Sequence, residues 1–561
     1  MVRRLVSLLS RNVTGMHAAA YVIAVFSLVS QILGLLRDRM LAHLFGASSS
    51  LDVYYAAFRI PDLIFASLAS IVSLFVIIPF LSRYLETGEK GKARHFLSEV
   101  STFFFFSVAL ASGVLAFYAP EFGRHFYPGF SGVEQELFVK LTRILLFSPI
   151  LLGFSNILAS VTQIAGRFVV YALSPILYNL GIVAGIIFLY PKYGLSGVGW
   201  GVVVGAFFHV AVQIPSVIRE GLMPRFTFRF DWKVLTEVVT VSLPRTATLA
   251  FNQIVLLLLV GIASTLGEGS VTVFTFASNL YAAPLTLIGV SYSIAAFPTL
   301  SRLFGAGERE AFIEHLLGAV RHVIFWSAPA LVLMIVLRAH IVRTLLGSGA
   351  FDWSDTRLTA ATLALFVVSL VAHGLILLFV RGYYAAGKTL RPFLITVSTS
   401  IVTILLAYGG IKLVAAFPQV GYFLEALLRV SDVGATSVIV IAAAYSTGLI
   451  ISAGIFWLLF RRDFGGHIPS AVTRTFWQSA AAAILGGAAA YLILRIISPF
   501  FDLSIAYHVF LEGAVAGIGG ILLWMGTLKA LGNKELDELF DTLHARFWKQ
   551  TTPIAPPPEE L

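Results

Sequence analysis

The chain has 561 residues, 58% hydrophobic and only 12% charged, with a mean hydropathy of +0.89. Soluble domains run nearer 45–50% apolar and about 25% charged, so this composition excludes one and indicates an all-α protein crossing a membrane many times. The net charge of +10 reads as cationic membrane-flanking loops, not nucleic-acid binding, and the absence of cysteine excludes disulfides and thiolate metal sites.

Residues 1–17 form a basic extension (MVRRLVSLLSRNVTG) with no small-residue cleavage site before the first long apolar run, so a cleaved signal peptide is not expected. Runs of about 20 apolar residues, the length that crosses the hydrocarbon, then number about fourteen. The first is centred near Ser30 and the last near Ile518.

The opening hairpin carries charge where a membrane helix should have none. Arg37, Asp38 and Arg39 lie inside the first apolar segment, Asp52, Arg59 and Asp62 in the second, and Gly46 to Ser50 form the turn between them. At 1.5 Å per residue, Arg37 lies roughly 13 Å below that turn and Arg59 roughly 12 Å. An ionisable group at that depth costs at least about 2.5–3.5 kcal/mol unless it is paired or faces a wet cavity. Something polar, and anionic, belongs between these helices.

Ser30, Gly34 and Arg37 are spaced to share one helix face, and a guanidinium presents a planar fork of donors suited to a pyrophosphate. The alternative is that Arg37 pairs with an acid on another helix and locks the bundle. Asp38 leaves the helix about 100° away from Arg37 and is expected to take a cross-helix partner. Arg39 reads as lipid-facing or paired with Asp38. Arg59 and Asp62, three apart, can pair locally. Asp52 sits where a helix N-terminus favours an acid, with a gate contact as the second reading. Asn179 and Asn252-Gln253 read as interhelical hydrogen bonders.

Further along, cations concentrate in alternate loops: Arg83 to Arg94, Arg167, Arg219 to Lys233, Arg302 and Arg309, Arg381 to Arg391, Arg461 and Arg462. The opposite loops are poor in them, with Arg124 and Lys192 among the few. The positive-inside rule places the cationic loops and both termini in the cytoplasm. The chain also repeats: Pro79-x-Leu81-Ser82-Arg83 recurs as Pro298-x-Leu300-Ser301-Arg302, and Ala165-Gly166-Arg167 as Ala386-Gly387-Lys388. An offset of six spans implies two lobes of equal topology, 18–220 and 221–462, related by an axis along the membrane normal. Segment 463–531 holds two further spans rich in small residues, which suit close packing. In 532–561, Leu536, Phe540, Leu543 and Phe547 mark an amphipathic surface helix before a Pro-rich tail that reads as disordered.

The histidines have no ligand spacing, so no metal site is expected, and there is no GxxxxGK[ST] and no nucleophile motif. The chain reads as a transporter with no cofactor, driven by an ion gradient, the membrane potential or the substrate gradient, its coupling ion undetermined.

The motifs resemble the MurJ/MviN family of lipid II flippases, within the multidrug/oligosaccharidyl-lipid/polysaccharide exporter superfamily. They are Ser30-x3-Gly34-x2-Arg37-Asp38-x3-Ala42-x2-Phe45-Gly46-Ala47, Asp52, Ala57-Phe58-Arg59-Ile60-Pro61, Gly166-Arg167-Phe168, Asn179-Leu180-Gly181, Trp200-Gly201-Val202-Val203, Gln213-x-Pro215 and Arg381-x-Tyr383-Tyr384-Ala385. The resemblance implies a 14-helix flippase of a bacterial inner membrane, with two lobes around a cationic cavity. Its last two helices would form a groove for a polyprenyl tail, and its substrate would be a polyprenyl-pyrophosphate-linked peptidoglycan precursor. Membrane lipids and the peptidoglycan-synthesis machinery are the further partners implied.

The departures fall at the charges. Gln31, Phe65 and Ser70 stand where the family has Arg, Arg and Glu, and Ser278-Asn279 stands for Asp-Arg. Arg245, early in the seventh span, is a candidate replacement for the missing cation, with snorkelling to the interface as its alternative. The expected substrate-binding set is Arg37, Arg59, Arg245 and Ser30; Asp38, Asp52 and Asp62 are structural or gating charges. Three other readings stay open: a flippase for a different polyprenyl-linked glycan, a drug/cation antiporter and a membrane scaffold. An antiporter needs intramembrane acids to hold its cations, whereas this cavity reads as net basic. A scaffold would gain by losing Arg37, Asp38 and Arg59.

Overall fold

The computed structural model describes residues 16–69, 74–465, 470–502 and 505–547, and among these described residues every regular element is helical. Among the described residues 12 helices are long and apolar enough to cross a membrane, or 13 when the bent pair Trp353–Val368 and Leu370–Ala385 counts as one span. The remaining expected span, centred on Ser67, is divided between Ser49–Ile64, a π-helical turn Phe65–Ala69 and Leu74–Glu86. Residues 70–73 between them, Ser70 included, lie outside the described residues, as do the first 15 and the Pro-rich tail.

The internal repeat extends to the order of elements. Ser49–Ile64, π-turn Phe65–Ala69, Leu74–Glu86 and the 28-residue Lys90–Phe117 are echoed by Ser270–Leu285, π-turn Thr286–Val290, Ser291–Gly305 and the 28-residue Arg309–Val336. In both copies a proline, Pro61 or Pro284, lies just before the π-turn.

The chain divides into two compact units. The first comprises Met1–Tyr281, Val342–Ser369 and Gly387–Ile455. Its first helix, α1 (Met16–Phe45), turns Tyr21, Val25, Leu28, Val29, Ile32 and Leu36 outward. That exposed stripe is apolar because its surroundings are lipid, which leaves Arg37 and Asp38 facing inward. Gly46, with φ +62°, ends the helix, and a Cβ there would come within 2.7 Å of the Ala350 carbonyl oxygen. The next helix, α2 (Ser49–Ile64), is buried along most of its length. A further helix, α3 (Phe168–Ala184), continues through the π-turn Gly185–Leu189 and packs against Leu195–Ala211 backbone to backbone. A Cβ on Gly185 would lie 2.6 Å from the Gly201 Cα. The helix α4 (Ser270–Leu285) supplies the last element of the site, through Tyr281.

The second unit comprises Ala282–Ile341, Leu370–Ala386 and Phe456–Leu561. The small residues of its last two spans do pack closely: a Cβ on Gly486 would lie 2.6 Å from the Gly520 carbonyl oxygen. The amphipathic helix forms over Lys534–Phe547 and is anchored, not merely laid on a surface. Leu536 is fully buried in a cluster with Phe325, Ala482 and Trp524, while buried Glu535 accepts from Thr475 Oγ1 at 2.8 Å and pairs with Arg321 at 3.5 Å.

Candidate functional site

Arg37 lies eight residues before the end of α1, with its side chain 25% exposed. Its Nε and Nη2 donate to Asp38 Oδ1 at 2.9 and 2.8 Å, and its Nη1 donates to Asn179 Oδ1 on α3 at 3.4 Å. The neighbouring carboxylate therefore does neutralise Arg37, contrary to the expectation from helix spacing. The Cβ bonds diverge by about 100°, but the long guanidinium arm bends back across that angle. The expected cross-helix partner of Asp38 is present as well: Asn279 Nδ2 of α4 donates to Asp38 Oδ2 at 3.1 Å. Asp38 is buried, so both of its oxygens need donors, and both have them.

Asn179 is the hub, and it makes the interhelical hydrogen bonds expected of it. It accepts from Arg37 and donates from Nδ2 to the Ser30 Oγ at 3.2 Å and the Ser30 carbonyl at 3.4 Å. One polar line thus runs Ser30, Asn179, Arg37, Asp38, Asn279 across three helices. The signal for it was present in the sequence: a lone Asn at the middle of an apolar span, opposite a helix carrying Arg.

Arg59 of α2 donates from Nη2 to Thr275 Oγ1 at 3.4 Å, and its Nε is buried with no hydrogen-bond partner. Among the described residues it forms no ion pair with Asp62, so the local pairing expected from their spacing does not occur. Thr275 and Asn279 stand four apart on one face of α4. That face meets Arg59 at one turn and Asp38 at the next. The Tyr55 hydroxyl is buried without a hydrogen-bond partner. The two cations and the acids Asp38 and Asp62 balance in charge, so these described groups are not net basic. Arg245 lies in the helix Trp232–Ala263, but its side chain falls outside the described residues.

The remaining charges hold the turn end of the hairpin. Asp52, 3% exposed, accepts from the backbone N–H of Gly269 at 2.8 Å and of Thr272 at 2.7 Å, and from Thr272 Oγ1 at 2.6 Å. It caps the N-terminus of α4, a different helix from its own, satisfying donors that a helix start leaves open. Glu268 returns the contact by accepting from Ser49 N–H at the start of α2 at 3.2 Å, and Asp355 accepts from Ala47 N–H at 3.0 Å. Arg39 is neither lipid-facing nor paired with Asp38. It donates to the carbonyls of Thr344 and Leu345, at the end of helix Arg338–Leu345, where a cation is favoured.

The position of Asn279 gives a direct test of the missing cation. Asn279→Arg puts a guanidinium against Asp38 and leaves Arg37 uncompensated. Binding of a lipid pyrophosphate is expected to tighten by about five- to tenfold, since a charge-assisted hydrogen bond contributes roughly 1 kcal/mol more than a neutral one. Unchanged affinity in a folded variant would show that Asn279 does not face the ligand.

A sequence profile described as lipid II flippase MurJ matches residues 41–510. The lipid II flippase MurJ of Burkholderia cenocepacia is 25% identical over 401 residues, 69% of this chain and 77% of that protein. The probable lipid II flippase MurJ of Haemophilus influenzae is 28% identical over 415 residues, 70% and 80% of the two chains. Among solved structures, a lipid II flippase MurJ in an inward closed conformation superposes with a TM-score of 0.70 at 23% identity, covering 92% of this chain and 99% of that one. An inward-facing multidrug resistance MATE family transporter superposes at 0.62 with 17% identity, covering 80% and 96%. At these identities the superpositions speak for the fold alone.

Proposed function

The chain belongs to the lipid II flippase MurJ family, and from that premise we propose that it moves lipid II from the cytoplasmic to the outer leaflet of a bacterial inner membrane. The observation that carries the site assignment is the Arg37 cluster. Three of the five guanidinium N–H groups are engaged by Asp38 and Asn179, which fixes the plane of the fork and leaves two donors for a phosphate. Arg59, with an unpartnered Nε, is the second cation of the set, and Arg245 is a proposed third. Ser30 acts through Asn179 as a positioning residue.

The pyrophosphate would bind between α1, α2 and α4. The reciprocal caps made by Asp52 and Glu268 would close the outer end. The cationic loops support an orientation with both termini in the cytoplasm. The protein is a transporter; no covalent step is assigned to it.

Expression in bacteria depleted of their own lipid II flippase tests this reading. Rescue of growth is expected; absence of rescue by protein that reaches the membrane in normal amounts would overturn it. The charge balance around Arg37 and the neutral Asn279 favour one second reading, a flippase for another polyprenyl-linked glycan. Comparative binding of lipid II and a non-peptidoglycan undecaprenyl-pyrophosphate glycan separates the two.

A further inference from the structure

A second cationic feature lies in the first unit, lined by none of the residues of the Arg37 cluster. A cavity of 820 Å³ is lined by Arg124 and Pro120 of the helix Ala119–Phe126, by Gln135, Glu136, Val139, Lys140, Arg143 and Ile144 of Gly132–Leu145, and by Trp200. An adjoining cavity of 510 Å³ shares Lys140 and Trp200 and adds Lys192, Tyr193 and Ser196. Four cations thus face one acid, Glu136, on the side of the chain where loops are otherwise poor in cations. Among the described residues Arg124, Lys140 and Lys192 make no hydrogen bond or ion pair. Arg143 donates from Nε to the Ala116 carbonyl at 3.0 Å, which leaves its terminal nitrogens uncommitted.

Depth decides what such a cluster meets. The membrane-crossing run Gly132–Ile164 has 33 residues, and about 20 of them span the hydrocarbon. Counting back from Ile164 puts the hydrocarbon boundary near Leu145, so Arg143 and Lys140 stand at the level of lipid phosphates. On the neighbouring span Lys192 and Tyr193 immediately precede Leu195, at the same boundary. Exposed aromatic rings mark that level as an interfacial belt. Trp200 (45% exposed) stacks on Phe147 (53% exposed) with centroids 6.3 Å apart, and Tyr193 is 63% exposed. A cationic rim over an apolar, aromatic floor matches an amphiphile with an anionic phosphate and acyl chains.

We propose that this cavity binds an anionic phospholipid of the leaflet at this end, its phosphate held by Lys140, Arg143 and Lys192 and its chain lying against Trp200 and Val139. On the orientation proposed above this is the outer leaflet. The site shares no residue with the Arg37 cluster, so its failure would leave the flippase reading untouched.

The test uses the full chain in nanodiscs containing dibrominated phosphatidylglycerol or dibrominated phosphatidylcholine, with tryptophan fluorescence as readout. The Trp200 signal is isolated as the difference between the protein and its Trp200→Phe variant. Quenching of Trp200 is expected at a several-fold lower mole fraction of the glycerol lipid, and Lys140→Gln/Arg143→Gln/Lys192→Gln is expected to erase that preference. Each cation near an anionic surface contributes a factor of about five. Equal quenching by the two lipids, or a preference that survives the triple change, would overturn the site. A further arm adds unbrominated decaprenyl phosphate. Relief of quenching at the same mole fraction as unbrominated phosphatidylglycerol supports the phospholipid; relief at tenfold less assigns the pocket to a polyprenyl phosphate and overturns it.

Discussion

Arg37→Ala is expected to abolish rescue of flippase-depleted cells and to weaken binding of lipid II by about 10- to 100-fold, the loss of one charge-assisted hydrogen-bonding group. The single change has a confounding effect, because Asp38 is buried and would lose its cation while keeping only Asn279. An uncompensated buried carboxylate costs about 3–5 kcal/mol when one partner of a pair is removed, so Arg37→Ala alone could fail by unfolding. The double variant Arg37→Ala/Asp38→Asn removes both charges and separates the readings. If Arg37 only locks the bundle, the double variant regains both thermal stability and transport. If Arg37 holds the phosphate, stability returns and transport does not. Arg37→Lys is expected to fall between, because one ammonium cannot hold Asp38 and Asn179 in a fixed planar fork.

Asp52→Ala carries the second large expected effect. It strips a charged acceptor from two backbone N–H groups and a hydroxyl at the buried start of α4. Hydrogen bonds to a charged group contribute about 1.5–3 kcal/mol each, and losses within one network are not additive, so a combined loss of at least about 4 kcal/mol is expected, read as a drop in melting temperature of the detergent-solubilised protein. Asp52→Asn is expected to lose less, about 2 kcal/mol, since one amide oxygen still accepts while its NH₂ faces a donor. Melting temperatures for both variants equal to that of the unmodified chain would refute the capping role. A variant in which transport falls while stability holds would instead mark Asp52 as a gate group.

The charged face of the first helix was legible in the sequence because the bilayer makes it so. Against a run of apolar residues, Arg37 and Asp38 can only be paired or functional, and helical spacing puts Ser30 on the same side. Partners were harder to read. The distance from Arg37 to Asp38 depends on side-chain torsions that spacing does not encode, and the link from Asp38 to Asn279 joins positions 241 residues apart. Asn279 illustrates the limit well. Seen along the chain it is a lost cation; seen in space it is the donor that completes Asp38. Asp52 was legible as a cap, but not as the cap of another helix, since the position of a helix start in space is a tertiary fact. Lys534–Phe547 was legible from its periodicity, while the anchoring of Glu535 by Thr475 and Arg321 was not.

The π-turn of the second repeat copy has a bearing on how its span can evolve and move. The turn Thr286–Val290 holds one more residue than an α-helical turn, so Ser291–Gly305 beyond it is rotated by about 100° relative to an unbroken helix. Deleting a single residue there would convert the turn to α-helix with every backbone bond still made, while swinging the far half of the span to a new face. The same deletion elsewhere in the span would simply misalign it. The Thr286–Val290 turn is thus a place where one residue exchanges lipid-facing for cavity-facing side chains without loss of helical continuity, an indexing joint in that span.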